Sequence, residues 1–272
     1  MALWHSMAMP IIAARRYAGG KPSENSIPVD GQPRAALTKG SFDWIGLADP
    51  SPEELELVRA QFGLHPLAVE DALNPTQMPK IEAYGQQLFI VARTAANQEG
   101  DNIAFGQTAI FLGSDFIVTV RMGSTRAHSK LRDRLEIDAE RLSEGPDYVA
   151  HAILDFVVDG YHPIMERLEE AVQTIEERAI DAFPEPSTIR RIFRLRRQFR
   201  RFQRLGEAVA EEEQVEEAGF PPQVRPVESG LGKRQLVVGL VRRQHPEARL
   251  ALCRCWPIDV GLISRQRRPI RQ

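Results

Sequence analysis

The chain has 272 residues, of which 43% are hydrophobic and 26% charged, a globular composition that excludes a wholly disordered or collagen-like protein. Its two cysteines exclude a disulfide framework, and no apolar run approaches the roughly 18–20 residues of a membrane-spanning helix. The N-terminus lacks the basic and apolar regions of a secretory signal. We therefore expect residues 1–9 to be a disordered start, and the chain as written to be soluble and cytoplasmic.

The first half of the chain alternates short strands with helices. Strands are predicted over residues 11–17 and 42–48, where β-branched and aromatic residues are frequent. Ser51 opens a capping box with proline at the first helical position, Gly63 ends that helix, and Pro66 begins another. This alternation predicts a fold in which helices cover a sheet.

After the second helix the apolar residues recur with a period of two, which predicts consecutive strands. We expect a turn near Gly85, strands over residues 103–112 and 116–120, and then a helix over about 126–142. Strands joined by short turns form an antiparallel or mixed sheet. The predicted fold class is α+β, with an α/β layered sheet and flanking helices over residues 10–142.

Residues 143–218 are predicted to form a long antiparallel helical hairpin. Apolar residues recur every three or four positions over 149–179, and Pro163 should kink that helix. A turn at 183–186 separates this acidic arm from a second arm that is rich in arginine. Opposite charges that face each other across the hairpin would favour the pairing. We expect the arms to pack through Ile164, Leu168, Val172 and Ile175 against Phe193, Leu195, Phe199 and Phe202.

The C-terminal region differs from the rest of the chain in charge. Residues 219–272 hold eleven lysines and arginines against three acidic residues, whereas the remainder holds 24 basic and 34 acidic residues. Proline and glycine recur every few residues after Pro226, so neither a long helix nor a sheet is predicted there. We expect residues 219–272 to form an irregular basic tail.

No pattern of an enzyme active site is present. The sequence has no P-loop, no dinucleotide-binding glycine motif, no HExxH and no GxSxG. Cys253 and Cys255 lack the further ligands of a structural zinc site. The arginine-rich helix could bind nucleic acid, but its apolar stripe must be buried and its neighbour is acidic. We therefore predict that the protein is not an enzyme and binds no nucleic acid.

Several strings of the sequence are specific when taken together. They are FDWIGL at 42–47 with PSPEEL at 50–55, FGLHPLAVED at 62–71, MPKIE at 78–82, and the helical stretches 147–161 and 189–205. They resemble the CorA-type magnesium transporter family, and the resemblance runs over about residues 11–226. It implies the cytoplasmic domain of a homopentamer in an inner or plasma membrane, which passes Mg²⁺ and often Co²⁺ or Ni²⁺.

The resemblance also implies a regulatory metal site between cytoplasmic domains. In the family an acidic residue of this site lies in the loop after the strand at 88–95, where this chain carries Glu99 and Asp101. We therefore predict Glu99 and Asp101 as ligands of a regulatory Mg²⁺ at a subunit interface. The family's other acidic ligand has no counterpart after Pro226.

The chain departs from the family after Pro226. It contains no Gly-Met-Asn pore motif, no membrane span and no uninterrupted stalk helix. Beyond this point the resemblance ends, the net charge changes from negative to positive, and both cysteines occur. We therefore expect an out-of-frame tail that results from a frameshift in the coding DNA. A genuine alternative C-terminus is the rival explanation.

The expected function is the cytoplasmic portion of a CorA-like transporter of Mg²⁺ or Co²⁺, which lacks the pore and does not transport alone. The expected partners are like subunits and divalent metal ions, with membrane contact only through the missing spans. One alternative is a soluble regulatory or interaction protein derived from the same domain, and another is a nucleic-acid binder. The sequence leaves open whether the metal is Mg²⁺, Co²⁺, Ni²⁺ or Zn²⁺, and in which direction it moves.

Overall fold

A mixed sheet forms the centre of the structure. The structure is a computed structural model, and it describes residues 11–99, 101–124, 126–181 and 185–217. Within these residues the sheet has seven strands, in the order β2-β1-β3-β7-β6-β5-β4. The strands are β1 (Ile11–Ala18), β2 (Lys21–Ser26), β3 (Ser41–Ala48), β4 (Lys80–Tyr84), β5 (Gln87–Asn97), β6 (Ile103–Leu112) and β7 (Phe116–Met122).

Neighbouring strands pair antiparallel except β3 and β7, which are parallel. The meander from β4 to β7 confirms the predicted strands, including the turn at Gly85 with its positive φ of 61°. The edge strand β2 was not predicted, because it holds no aromatic or β-branched residue and contains Pro22. Such a sequence is tolerated at a sheet edge, where one side of the strand needs no ladder hydrogen bonds.

The structure has seven helices within the described residues: α1 (Pro52–Phe62), α2 (Pro66–Leu73), α3 (Ser129–Ile137), α4 (Ala139–Leu142), α5 (Pro146–Asp159), α6 (His162–Asp181) and α7 (Pro186–Glu217). The predicted capping box of α1 is confirmed, because the Glu54 amide donates to Ser51 Oγ over 3.3 Å and the Ser51 amide donates to Glu54 Oε2 over 2.7 Å. The single helix expected over 126–142 is wrong, because Asp138 ends α3 and its side chain caps α4.

Apolar clusters cover both faces of the sheet. On one face Leu55 of α1 packs with Phe111 and other strand residues. On the opposite face Leu131 of α3 and Ile153 of α5 pack with Ile117. The predicted class, an α+β layered sheet with flanking helices, is therefore confirmed.

The helical region divides at Gly160 rather than continuing through a kink. Helix α5 ends there and packs on the sheet, and Pro163 stands in the first turn of α6, where a proline needs no hydrogen-bonded amide. Arg126 stabilises the break, because its Nη1 donates to the Phe156 carbonyl over 2.8 Å and its guanidinium lies 4.0 Å from the Phe156 ring centroid. A Cβ at position 160 would collide with this guanidinium.

Helices α6 and α7 form the hairpin. Tyr161, beside the start of α6, contacts Phe202 edge-on with ring centroids 5.4 Å apart, so the start of α6 lies beside the second half of α7, as in an antiparallel pair. Phe193 was expected in the interface but is 63% exposed, and Val172 is only half-buried. The remaining predicted contacts are confirmed in one cluster that also includes Ala171, namely Ile164, Leu168, Ile175, Leu195, Phe199 and Phe202.

The disordered start expected for residues 1–9 and the irregular tail expected for 219–272 lie outside the described residues. No helix within the described residues combines the length and the apolar composition that a membrane span requires.

Candidate functional site

The two predicted site residues lie in the turn that joins β5 to β6. The Gln98 amide donates to the Asn102 carbonyl over 2.8 Å and closes the turn. Asp101 has a φ of 63°, a left-handed conformation that aspartate adopts more readily than most residues. The side chain of Glu99 is exposed. Asp101 contacts the hairpin through Arg191, whereas the side chain of Glu99 lies in solvent.

Asp101 forms a bidentate ion pair with Arg191 of α7. Arg191 Nε donates to Asp101 Oδ2 over 2.7 Å and Nη2 donates to Oδ1 over 3.2 Å. The Asp101 side chain is only 15% exposed. The hydrogen bond from Arg191 lowers the pKa of Asp101 against the opposing effect of burial, and the charges of Arg167 and Arg194 add to the lowering. The carboxylate is therefore held ionised between α6 and α7.

Further polar contacts attach the hairpin to the same two strands. Tyr161 Oη donates to the Arg93 carbonyl, and burial raises the pKa of this phenol. Asn97 Nδ2 donates to the Pro163 carbonyl over 3.1 Å. The Arg201 guanidinium lies 4.6 Å from the ring centroid of Phe105 on β6. We name this set of contacts, together with the Asp101–Arg191 pair, the hairpin junction.

An apolar cluster lies beside the hairpin junction. Ala95 of β5 and Ile103 of β6 pack with the buried side chains that join α6 to α7. The cluster is small beside the two clusters that cover the sheet. The junction thus combines one ion pair, a few hydrogen bonds and a modest buried surface.

The surroundings of Asp101 within one chain do not fit a divalent cation. Mg²⁺ takes oxygen ligands such as carboxylates and water, but both carboxylate oxygens of Asp101 accept from Arg191. Arg167 and Arg194 add positive charge. Among the described residues no group of three or more histidine, cysteine, aspartate or glutamate side chains is placed to hold a metal. A metal role for Glu99 and Asp101 in a site shared between subunits stays a prediction.

The hairpin carries charged residues on its solvent side. Exposed glutamates on α6 are Glu166, Glu169, Glu170, Glu176 and Glu177. Exposed arginines on α7 are Arg190, Arg194, Arg196, Arg197, Arg200 and Arg201. Opposite charges across the hairpin were expected to favour the pairing of its arms, yet none of these six arginines lies within 4.0 Å of a carboxylate in the described part of the chain.

The role of Arg191 could not be recognised among the arginines of α7. Its position relative to the apolar stripe is the signal that distinguishes it, because Leu195 and Phe202 follow four and eleven positions later on the same side of the helix. The sequence likewise predicts Tyr161 only as part of a helix. The sequence gives no sign that its hydroxyl bonds a strand carbonyl.

Comparison with known proteins gives one family and several relatives. A family model described as "CorA-like Mg2+ transporter protein" matches residues 39–214. The "Putative metal ion transporter YfjQ" of Bacillus subtilis is 34% identical over 134 residues, 49% of this chain and 41% of that protein. The "Cobalt/magnesium transport protein CorA" of Thermotoga maritima is 25% identical over 50% of this chain and 39% of that protein. The chain therefore spans less than half the length of these relatives.

Solved structures share the fold. The soluble domain of CorA from Methanocaldococcus jannaschii matches with a TM-score of 0.58 and 15% identity, over 90% of this chain and 96% of that one. The full-length CmaX protein matches with a TM-score of 0.60 and 17% identity, over 92% and 76%. The ZntB cytoplasmic domain from Vibrio parahaemolyticus matches with a TM-score of 0.54 and 12% identity, over 90% and 93%. At these identities the likeness concerns the fold.

Proposed function

Because the chain belongs to the CorA-like Mg²⁺ transporter family, we propose that it forms the cytoplasmic, N-terminal portion of a transporter of divalent cations. The observation that carries the proposal is the extent of the family match, which begins before β3 and ends within α7. The match thus includes the helices on both faces of the sheet, the strands β3 to β7 and the hairpin junction. The proposed cargo is Mg²⁺ or Co²⁺, the ions in the names of several relatives.

Like subunits are the proposed partners, assembled as a homopentamer around the ion path. The hairpin is the part of the described fold best suited to respond to its neighbours, because the hairpin junction fixes it to the sheet through few buried groups. Elements with few buried apolar contacts move more readily than the core. We propose that displacement of α6 and α7 relative to the sheet accompanies gating.

We further propose that the 272-residue chain does not transport ions by itself. The support is in the sequence, which has no apolar run long enough to cross about 30 Å of hydrocarbon. The ion path would then come from a membrane segment joined to this fold. Expression of the unmodified chain in cells that require added Mg²⁺ should leave that requirement unchanged, and rescue of growth would contradict this part of the proposal.

A chimera tests the transport function itself. Residues 1–217 would replace the corresponding N-terminal region of the Thermotoga maritima relative, which is named a cobalt/magnesium transport protein, and be expressed in cells that lack Mg²⁺ uptake. We expect growth at low Mg²⁺, as with the intact relative. The membrane segment expressed alone is the matched control for uptake that needs no N-terminal region. A chimera that inserts in the membrane but carries neither Mg²⁺ nor Co²⁺ would overturn the proposal.

A freestanding regulatory or interaction protein is the second candidate function. It is favoured by one observation, that the chain aligns with 96% of a CorA soluble domain determined by itself. Under this alternative the chain would join subunits of a full-length transporter and alter their activity. Co-expression with the intact relative distinguishes the two, because only this alternative predicts changed uptake in the presence of the unmodified chain.

A further inference from the structure

The solvent side of the hairpin carries two charged faces of opposite sign. The acidic face consists of the exposed residues Glu166, Glu170, Glu176 and Glu177 on α6, and the basic face of the six exposed arginines on α7 between Arg190 and Arg201. Each face extends over twelve residues, a rise of about 16 Å along the helix. The two faces therefore match in length as well as in charge.

The arginines of the basic face have no ion-pair partner within the described part of the chain, although Arg201 lies over the Phe105 ring. Arginines spaced four apart repel each other on a helix, as at Arg190 with Arg194, Arg196 with Arg200, and Arg197 with Arg201. None of them has a described carboxylate within 4.0 Å. A row of like charges that is kept unpaired suits a partner of opposite charge outside this copy.

Exposed apolar side chains lie among these arginines. Phe193 is 63% exposed, Ile189 40% and Ile192 36%, near the start of α7. An aromatic side chain flanked by arginines is typical of the residues that dominate protein interfaces, where the apolar group is desolvated and the charges form the rim. The basic face is therefore suited to contact a protein surface.

The two faces do not meet within one copy, because α6 and α7 contact each other through buried apolar residues. Leu168 and Leu195 are 7% and 4% exposed, whereas the charged residues lie outside this contact. The acidic face is thus available to the basic face of another copy. Each copy carries both faces, so the contact can be reciprocal between two copies or repeat around a ring.

We infer that the hairpin is a self-association surface, in which the acidic face of α6 from one copy binds the basic face of α7 from another and buries Phe193. The inference deepens the proposed function and rests on its assembly of like subunits. A second copy is favoured over a nucleic acid or an anionic membrane because it uses both faces. A polyanion would use the arginines alone and would be repelled by the neighbouring glutamates.

Charge reversal on each face tests the inference in the full chain. The acidic-face variant carries Glu166→Lys, Glu170→Lys and Glu177→Lys. The basic-face variant carries Arg196→Glu, Arg197→Glu and Arg200→Glu, all exposed residues outside the hairpin junction. In sedimentation velocity at low salt we expect each variant to self-associate about tenfold more weakly than the parent, because like charges then oppose each other. Circular dichroism confirms that the variants are folded.

The matched control is the chain with all six reversals. Its faces are again complementary, so association should return, and an equimolar mixture of the two single-face variants should also associate. A monomeric parent, or a folded six-fold variant that stays monomeric, would overturn the inference. So would a loss confined to the basic-face variant, which would indicate an anionic ligand instead of a second copy.

Disulfide trapping locates the contact independently. In a background with Cys253→Ser and Cys255→Ser, a copy with Glu170→Cys and a copy with Arg197→Cys should crosslink under mild oxidation. Lys39→Cys is the control partner, because Lys39 is exposed but lies before β3, away from the hairpin. Equal yields with both partners would contradict the contact. Failure here with a working transport chimera would overturn only the surface, whereas a failed chimera with specific crosslinking would overturn only the transport function.

Discussion

The sheet and the hairpin of α6 and α7 differ in how much apolar surface stabilises them. Two large clusters, one on each face, enclose the sheet, and side chains such as Ile110 and Ile117 have no exposed surface. The hairpin shares one small cluster with β5 and β6 and adds the polar contacts of the hairpin junction. The comparison shows that the hairpin can separate from the sheet at a lower free-energy cost than the sheet can open.

The largest effect is expected from Phe111→Ala in the core of the sheet. Phe111 is 2% exposed and its ring centroid lies 4.8 Å from that of Phe89. Removing the ring leaves a cavity, so the free energy of unfolding should fall by about 3–5 kcal/mol. Urea denaturation followed by circular dichroism measures the change. A loss below that of the hairpin variants described next would reverse the order of the two regions.

Phe202→Ala should affect the hairpin selectively. Phe202 is 3% exposed and contacts Tyr161 at the hairpin junction, so its truncation should cost about 3 kcal/mol. Hydrogen exchange should accelerate in α6 and α7 while the amides of β6 and β7 stay protected. Phe193→Ala is the matched control at a protein concentration low enough to prevent self-association, since its ring is exposed in the single copy. Equal acceleration in the sheet would mean that the two regions unfold together.

Asp101→Asn should weaken the junction by about 1 kcal/mol, as expected for a partly buried ion pair. Arg191 lowers the pKa of Asp101. The stabilisation is therefore fully present above the unfolded value of about 3.9 and is lost as the pH falls through the lower folded value. Urea denaturation across acidic pH should show this dependence in the parent and not in the variant. An unchanged pH dependence would exclude Asp101 as its source.

The smallest effect is expected from Arg200→Ala, within about 0.5 kcal/mol, because Arg200 is exposed and has no ion pair with a described residue. The free energies of unfolding of Arg200→Ala and Phe202→Ala are compared to decide whether charge or packing stabilises the hairpin. Urea denaturation at a protein concentration low enough to prevent self-association measures both. If the arginine change costs as much as the phenylalanine change, charge and not packing stabilises the hairpin.

Most of the sheet and of α1 and α2 could be predicted from sequence, because periodicity and capping are local signals. The strand β2 could not, since Lys21–Ser26 is polar and pairs only with β1 at the edge. Gly160 marks the end of α5, but the close approach of the Arg126 guanidinium to this position cannot be read from the sequence. The helix was therefore extended through it.

The resemblance predicts Glu99 and Asp101 as site residues, whereas the surroundings of Asp101 are known only from the structure. Asp101 was found because its loop follows a recognisable strand, yet its partner Arg191 lies 90 positions away. Eight arginines occupy residues 190–204, and composition does not distinguish them. The position of Arg191 on the side of Leu195 and Phe202 places it beside the packed side of α7, but its pairing with Asp101 follows only from the packing of that helix.

The parallel pairing of β3 with β7 has a consequence for how fast the chain folds. The strands β4 to β7 follow each other as hairpins, and β1 to β3 form a second set of neighbours. The two sets are joined in the sheet by the parallel β3–β7 ladder, in which Ile45 pairs with Val118, so this pairing closes a loop that contains α1, α2 and the strands β4 to β6. Non-local pairings of this kind form slowly because the entropy of a long loop is lost before contacts compensate for it. We expect the meander to form early and the β3–β7 ladder to limit the folding rate.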